Sequence, residues 1–124
     1  NLPAGLEMWQ GAREILPNSN LCLGGIPKEI EDNAGIIFFI DQITNGETLL
    51  KDLLLLEERK INPNRIRVIS CIASNIGLKK IGERIKNLHI FCACIDQELL
   101  TENEISPGIG NPSLRINTRI TRSN

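Results

Sequence analysis

The 124-residue chain has a formal net charge of −1 at neutral pH, with 41% hydrophobic and 23% charged residues. This length suits one domain with a modest core, and the composition is ordinary for a globular protein. The balanced charge gives no basis for binding nucleic acid or an anionic membrane, and no apolar run is long enough to span a bilayer. Because the chain begins Asn1-Leu2-Pro3, without a methionine or a signal-peptide pattern, we expect a fragment or a processed start.

The first third of the chain has weak periodicity. A partial helical stripe over residues 4–16 predicts a helix that ends before Pro17. Leu21-Cys22-Leu23 is predicted to be a short strand closed by Gly24-Gly25, and residues 27–34 a polar loop.

Apolar runs and amphipathic stretches then alternate along the chain. They predict strands over residues 36–40, 66–73 and 89–95, and helices over residues 47–60 and 76–88. The first strand is a continuous apolar run, which is typical of burial on both faces. Strands that alternate with helices form mostly parallel sheets with helices on both faces, so the predicted fold class is α/β.

The chain has four cysteines, which lie in apolar, strand-like runs at Cys22, Cys71, Cys92 and Cys94. We expect them to be small buried hydrophobic residues in a reducing compartment. Cys92 and Cys94 point to the same face of a strand, which would suit a pair of metal ligands. A metal site is disfavoured because His89 is the one histidine and no second cysteine pair follows.

The predicted helix over residues 47–60 carries more leucines than one stripe needs: Leu49, Leu50, Leu53, Leu54, Leu55 and Leu56. This surface packs either between the sheet and a loop or against another subunit, such as a second copy in a homodimer. Residues 115–124 are basic and are expected to form a tail, which could also dock on a partner, beyond a domain over residues 1–114.

Polar residues follow each predicted strand at its carboxyl end, where parallel α/β sheets bind ligands. Residues 41–48 lead into a helix, whose unpaired N–H groups and dipole favour a phosphate. Asp41 could take sugar hydroxyls or a metal ion. The alternative is that these residues only turn the chain, since a loop with one glycine is not a specific motif.

Four segments in order resemble the C-terminal part of the uracil phosphoribosyltransferase family, from residue 2 to about residue 115. They are Ala4-Gly5-Leu6-x-Met8, Ile40-Asp41-Gln42-Ile43-Thr44-Asn45-Gly46-Glu47-Thr48, Ala73-Ser74-Asn75-Ile76-Gly77, and Ala93-Cys94-Ile95-Asp96-Gln97-Glu98-Leu99 followed by Pro107-Gly108-Ile109-Gly110-Asn111. The resemblance implies a truncated type I phosphoribosyltransferase fold. It also implies a reaction of uracil with phosphoribosyl pyrophosphate to give UMP and pyrophosphate, with Mg²⁺.

The resemblance also implies roles for individual residues. Asp41 would be catalytic and would hold the ribose hydroxyls. The implied phosphate-binding residues are Thr44, Asn45, Gly46 and Thr48. The implied uracil-binding residues are Ile105, Gly108 and Gly110, through their backbone groups, with Asn111 nearby. No residue is an implied metal ligand.

Several positions depart from the family pattern. Pro3 stands where an arginine is expected, Glu104 where an aromatic residue is expected, and Asn111 where an acid is expected. The hairpin expected between residues 25 and 36 is short, and the usual Thr-Gly of the phosphate loop is Asn45-Gly46. Glu47 follows, and a carboxylate within about 4 Å of a phosphate would cost on the order of 1–4 kcal/mol.

These departures predict weak or absent turnover, in the cytoplasm or a plastid stroma. A plastid is suggested by the many isoleucines and asparagines, which indicate an AT-rich coding genome. One alternative is a non-catalytic connecting subunit of a larger, plastid-type complex that retains the fold. Another is a regulatory module that binds a nucleotide or phosphoribosyl pyrophosphate without turnover.

Overall fold

Three parallel strands joined by two helices form the centre of the protein. The computed structural model describes residues 4–101, 104–110 and 115. The elements are α1 (Ala4–Ala12), β1 (Ile36–Ile43), α2 (Glu47–Glu58), β2 (Ile66–Ser74), α3 (Asn75–Arg84), β3 (His89–Asp96), β4 (Glu98–Thr101) and β5 (Glu104–Ser106), with a 3₁₀ turn over Pro63–Arg65.

The main sheet has the order β1-β2-β3, and each neighbouring pair is parallel. The helices α2 and α3 are the crossover connections, so the chain forms two consecutive βαβ units that share β2. A separate antiparallel hairpin, β4-β5, follows β3. The sequence did not predict this hairpin, because strands of four and three residues are too short for a periodic pattern.

Helices cover the two faces of the sheet, which confirms the predicted α/β class. On one face, Leu49, Leu53 and Leu56 of α2 and Ile81 of α3 pack in a buried core. That core includes Ile66 and Val68 of β2. On the other face, α1 packs against β1 so closely that a Cβ on Gly5 would overlap the carbonyl oxygen of Phe39. Ile37 remains 38% exposed, so β1 is not fully buried on both faces as predicted.

The N-terminal predictions need two corrections. The first helix ends at Ala12 rather than at residue 16, and Ile15 beyond it is 82% exposed. Leu21-Cys22-Leu23 is not a strand, and all three residues are exposed. An isolated strand leaves its backbone groups unpaired, and no neighbouring strand among the described residues pairs with this segment.

The other predicted helices are correct in place and shorter in extent. The helix predicted over residues 47–60 spans Glu47–Glu58, and that predicted over residues 76–88 spans Asn75–Arg84. Past these ends, Lys60 and Asn87 both have φ 60, a left-handed conformation that stops a helix. The second helix begins one residue early because the Ser74 side chain caps it.

The prediction that the cysteines are buried is wrong for three of the four. Cys22, Cys71 and Cys94 are exposed, and Cys92 alone is half-buried against the core. All four are free thiols. Cys94 is exposed because β3 is an edge strand of this sheet, where Phe91 and Ile95 are also more than half exposed. Cys71 lies on β2, whereas α1 packs on β1, and Cys22 lies in a segment that forms no strand.

No helix among the described residues is long and apolar enough to cross a membrane. In the same part of the chain, no three histidine, cysteine, aspartate or glutamate side chains are grouped to hold a metal ion. The candidate Asn111 lies outside the described residues. So does the proposed tail, residues 115–124, apart from Arg115.

Candidate functional site

The carboxyl ends of β1, β2 and β3 meet at one edge of the sheet, and hydrogen bonds connect the loops that leave them. The Ser74 hydroxyl at the end of β2 donates to the carbonyl oxygen of Thr44, which follows β1. Ser74 is also in register with Asp96 at the end of β3. Asp96 Oδ2 in turn accepts a hydrogen bond from the Gly108 amide at 2.8 Å. These contacts, the carboxyl-edge contacts, join the predicted phosphate loop to the predicted uracil loop.

The predicted phosphate loop forms the start of α2. Gly46 is the N-cap residue, with φ 76, and offers no side-chain cap. Asn45 Oδ1 accepts a hydrogen bond from the Glu47 amide at 3.0 Å, so the Asn45 side chain is already engaged. The next two amides, of Thr48 and Leu49, have no intrahelical acceptor because they lie in the first turn. A cleft of about 260 Å³ opens here, lined by residues 38–40, 42–49 and 52.

The N-terminal ends of α2 and α3 pack against each other through two glycines. A Cβ on Gly46 would lie 2.9 Å from the carbonyl oxygen of Gly77 and 3.2 Å from the Ile81 side chain. A Cβ on Gly77 would overlap the carbonyl oxygen of Thr44. Both helix starts are therefore held at the same place by close contact of their backbones.

Glu47 has a partner outside the cleft. Its Oε1 lies 2.7 Å from Nζ of Lys80 on α3, and both side chains are substantially exposed. An exposed pair of this kind adds only about 0–1 kcal/mol to stability. The ion pair matters for the site because it directs the Glu47 carboxylate towards α3 and pairs its negative charge with Lys80.

Asp41 lies inside β1 rather than at the start of a loop, so the predicted loop over residues 41–48 begins three residues too early. The β1-β2 register skips Asp41, since Ile40 pairs with Ser70 and Gln42 with Ile72. Asp41 is half-buried, and its Oδ1 accepts from the Gln42 amide at 2.8 Å. Among the described residues its Oδ2 has no partner, which leaves that oxygen free to accept a hydroxyl.

The predicted uracil loop is folded tightly onto itself. Ile105 is buried, so its side chain is not available to a ligand. Gly108 has φ 59, and a Cβ there would overlap the carbonyl oxygen of Ile105. Arg115 Nη1 donates to the carbonyl oxygen of Ile109 at 2.7 Å. The loop therefore presents backbone groups near the end of β3.

Asp96 is a residue whose importance the sequence analysis missed. Its carboxylate is buried and anchors Gly108, while Oδ1 lies 3.6 Å from Sγ of Cys94. Loss of water around the thiol and the nearby Asp96 charge raise the pKa of Cys94, so it stays a protonated donor at neutral pH. The feature of the sequence that could have indicated this role is that a single acid, Asp96, ends the apolar strand β3.

We expect Ser74→Ala to lower stability by about 1–2 kcal/mol, because it removes both the cap of α3 and the contact to Thr44. Thermal unfolding should show a melting temperature that is lower by roughly 4 °C or more. Ser19→Ala is the matched control, since the Ser19 hydroxyl bonds only to Leu16 at the surface. Equal melting temperatures for the two variants would contradict the role of Ser74.

The chain is an α/β protein with a parallel sheet, and at its carboxyl edge it has a helix start and a glycine-rich turn. Many α/β proteins bind phosphorylated small molecules at such an edge. Comparison with known families makes the assignment specific. The uracil phosphoribosyltransferase family model matches residues 2–116. The chain therefore belongs to the uracil phosphoribosyltransferase family, which confirms the resemblance seen in the sequence.

Similar proteins agree with this assignment. The uracil phosphoribosyltransferase of Synechococcus elongatus is 27% identical over 93% of this chain and 60% of its own length. The chloroplastic uracil phosphoribosyltransferase of Arabidopsis thaliana is 27% identical over 89% of this chain and 43% of its own. The structure of the AQ2163 protein from Aquifex aeolicus matches with a TM-score of 0.73 and 25% identity, over 94% of this chain and 62% of that one. The chain thus spans about 60% of the length of the cyanobacterial relative.

Proposed function

We propose that this chain forms the substrate-binding edge of a protein that converts uracil and phosphoribosyl pyrophosphate to UMP and pyrophosphate. The observation that supports this most is the set of carboxyl-edge contacts, from Thr44 through Ser74 and Asp96 to Gly108. They bring the loop suited to a phosphate and the loop suited to uracil to one edge. A two-substrate reaction needs this proximity.

The reaction breaks the bond between ribose C1 and pyrophosphate, which leaves with the electron pair, and forms a bond between C1 and uracil N1, which loses its proton. Because the ribose becomes cation-like, the three groups must be held in line. In our proposal Asp41 Oδ2 accepts a ribose hydroxyl. The free amides of Thr48 and Leu49, with the Thr44 and Thr48 hydroxyls, bind the 5′-phosphate. Backbone groups of Ile105, Gly108 and Gly110 bind the edge of uracil, with Asn111 following.

Magnesium would enter as part of the substrate, bound to the diphosphate. The residues that the structure describes hold no group of three histidine, cysteine, aspartate or glutamate side chains that could bind the ion. We therefore assign no residue of this chain as a resident metal ligand.

We propose that turnover is slow. Pro3 has no side-chain charge for pyrophosphate, Glu104 replaces an aromatic residue, and Asn111 lacks a negative charge. Glu47 is not one of the residues that we propose to slow turnover, because its carboxylate pairs with Lys80.

Calorimetric titration of the full-length protein with Mg²⁺ and phosphoribosyl pyrophosphate tests the proposal. We expect a micromolar Kd, or roughly −8 kcal/mol, and slow formation of UMP once labelled uracil is added. Asp41→Asn should weaken binding, whereas Asp32→Asn, in an exposed loop outside the site, should not. Absence of heat at millimolar ligand would reject the proposal.

A non-catalytic subunit that keeps the fold is the second candidate function. The observation that favours it is the partly exposed leucine surface on α2. In either role we propose a reducing compartment, cytoplasm or plastid stroma, because all four cysteines are free thiols.

A further inference from the structure

The cleft at the start of α2 is lined by acids, although we propose that it binds a phosphate. Its lining includes two carboxylates, Glu47 and Asp52, and no lysine or arginine among the described residues. Glu47 is the first residue of α2 and directly follows the N-cap residue Gly46. A carboxylate at this place competes with a bound phosphate for the positive potential of the helix start, and it repels the charge of the phosphate.

A lysine outside the cleft pairs with one of these two carboxylates. Lys80 Nζ lies 2.7 Å from Glu47 Oε1, and Lys80 lines a groove on the outer side of α2 rather than the phosphate cleft. The cation therefore contacts the carboxylate without entering the cleft. The backbone of Glu47 is held separately, because its amide donates to Asn45 Oδ1 at 3.0 Å.

The packing of α2 on α3 determines where Lys80 lies. The next residue, Ile81, is buried, and its side chain lies 3.2 Å from the position that a Cβ on Gly46 would take. Lys80 also lies three residues, or about one turn, beyond Gly77, which is in close contact with the Thr44 carbonyl oxygen. Because both contacts fix the first turns of α3, Lys80 is held beside the first residue of α2.

We infer that Lys80 is a positioning residue for the phosphate site. It holds the Glu47 carboxylate towards α3 and offsets its charge, so that the amides of Thr48 and Leu49 can bind a phosphate without an unpaired carboxylate beside it. This inference rests on the proposed function, since it takes the phosphate to bind at this loop. It adds a residue that lies outside the cleft to those on which ligand affinity depends.

Direct attraction between Lys80 and the phosphate is the competing explanation, and the two differ in one respect. If Lys80 acts through Glu47, loss of the lysine weakens binding only while position 47 carries a negative charge. If Lys80 acts on the ligand itself, its loss weakens binding whatever residue stands at position 47. The coupling between the two positions therefore decides between the explanations.

A double-mutant cycle with inorganic phosphate as the probe measures this coupling. The amide chemical shifts of Thr48 and Leu49 in the isotope-labelled, full-length protein give the Kd for phosphate at constant ionic strength. Lys80→Ala should weaken binding by roughly three- to tenfold, because it leaves the Glu47 charge unpaired. Lys80→Arg, which keeps the charge, should bind like the wild type. In a Glu47→Gln background, Lys80→Ala should leave the Kd unchanged.

Arg84→Ala is the matched control, because Arg84 lies 3.8 Å from Glu57 between the same two helices but near the other end of α2. It should leave phosphate binding unchanged. Equal losses from Lys80→Ala in both backgrounds, no loss in either, or a wild type whose two amides do not respond to phosphate would overturn the inference. If the cycle is as expected and phosphoribosyl pyrophosphate gives no heat, the role of Lys80 stands and only the proposed reaction is rejected.

Discussion

Gly77→Ala should destabilise the protein and abolish binding of phosphoribosyl pyrophosphate, whereas Gly82→Ala in the same helix should stabilise it slightly. The new methyl group at position 77 would overlap the carbonyl oxygen of Thr44 and force the start of α3 away from the phosphate loop. At position 82 no atom of a neighbouring residue that the structure describes lies within 4 Å of an added Cβ. The added methyl group therefore overlaps the phosphate loop at position 77 and enters open space at position 82.

We expect the free energy of unfolding to fall by about 1–3 kcal/mol for Gly77→Ala, as for other overpacked positions. For Gly82→Ala it should rise by about 0.4–1 kcal/mol, because alanine restricts the unfolded chain. Urea denaturation measures both changes, and calorimetry measures the ligand affinity. If the two variants shifted the urea midpoint in the same direction, the close packing of the two helix starts would be refuted.

Gly108→Ala should remove uracil binding and leave binding of phosphoribosyl pyrophosphate nearly intact. A methyl group there would overlap the carbonyl oxygen of Ile105, and φ 59 is unfavourable for alanine. The hydrogen bond from the Gly108 amide to Asp96 would be displaced with it. The phosphate loop lies at the start of α2, and Gly108 is not among the residues that line its cleft.

Gly110→Ala is the matched control, because it shares the positive φ, 72, without the overlap. Among the described residues, the nearest atom to its Cβ is Cδ of Arg115, at an ordinary 3.9 Å. We expect uracil affinity to fall at least tenfold more for Gly108→Ala than for Gly110→Ala, a difference of about 1.4 kcal/mol. Equal losses would mean that backbone conformation alone, and not the fit of Gly108 against Ile105, shapes the loop.

The central sheet and its crossover helices could be predicted from the sequence because their signals are local. A run such as residues 36–40 is apolar at every position, and the helix starting at Glu47 has leucines at helical spacing. Once the sheet is known to be parallel, the position of the ligand-binding loops can be predicted, because they follow the carboxyl ends of the strands. The match of the phosphate loop to a family pattern then supplied a substrate class, which periodicity by itself could not.

The features that could not be predicted from the sequence depend on contacts between residues that are distant in the chain. The Glu47–Lys80 pair and the Gly46–Gly77 contact join residues more than thirty positions apart. Cysteine burial was mispredicted because an apolar strand shows hydrophobicity but not which side of the sheet is covered. The segment 21–23 has strand-like residues but no strand to pair with, and pairing, rather than propensity, decides strand formation.

Because α2 and α3 run in the same direction, their N-terminal ends both affect how fast an anionic ligand reaches the site. Both helices begin at the same edge, and each start carries the equivalent of roughly half a positive charge. Both helix starts therefore contribute positive potential towards an anion, although the whole chain carries a net charge of −1. Ionic strength should then control the association rate. Raising salt from about 0.01 M to about 0.15 M shortens the screening length from roughly 30 Å to roughly 8 Å and should slow capture of a phosphorylated ligand.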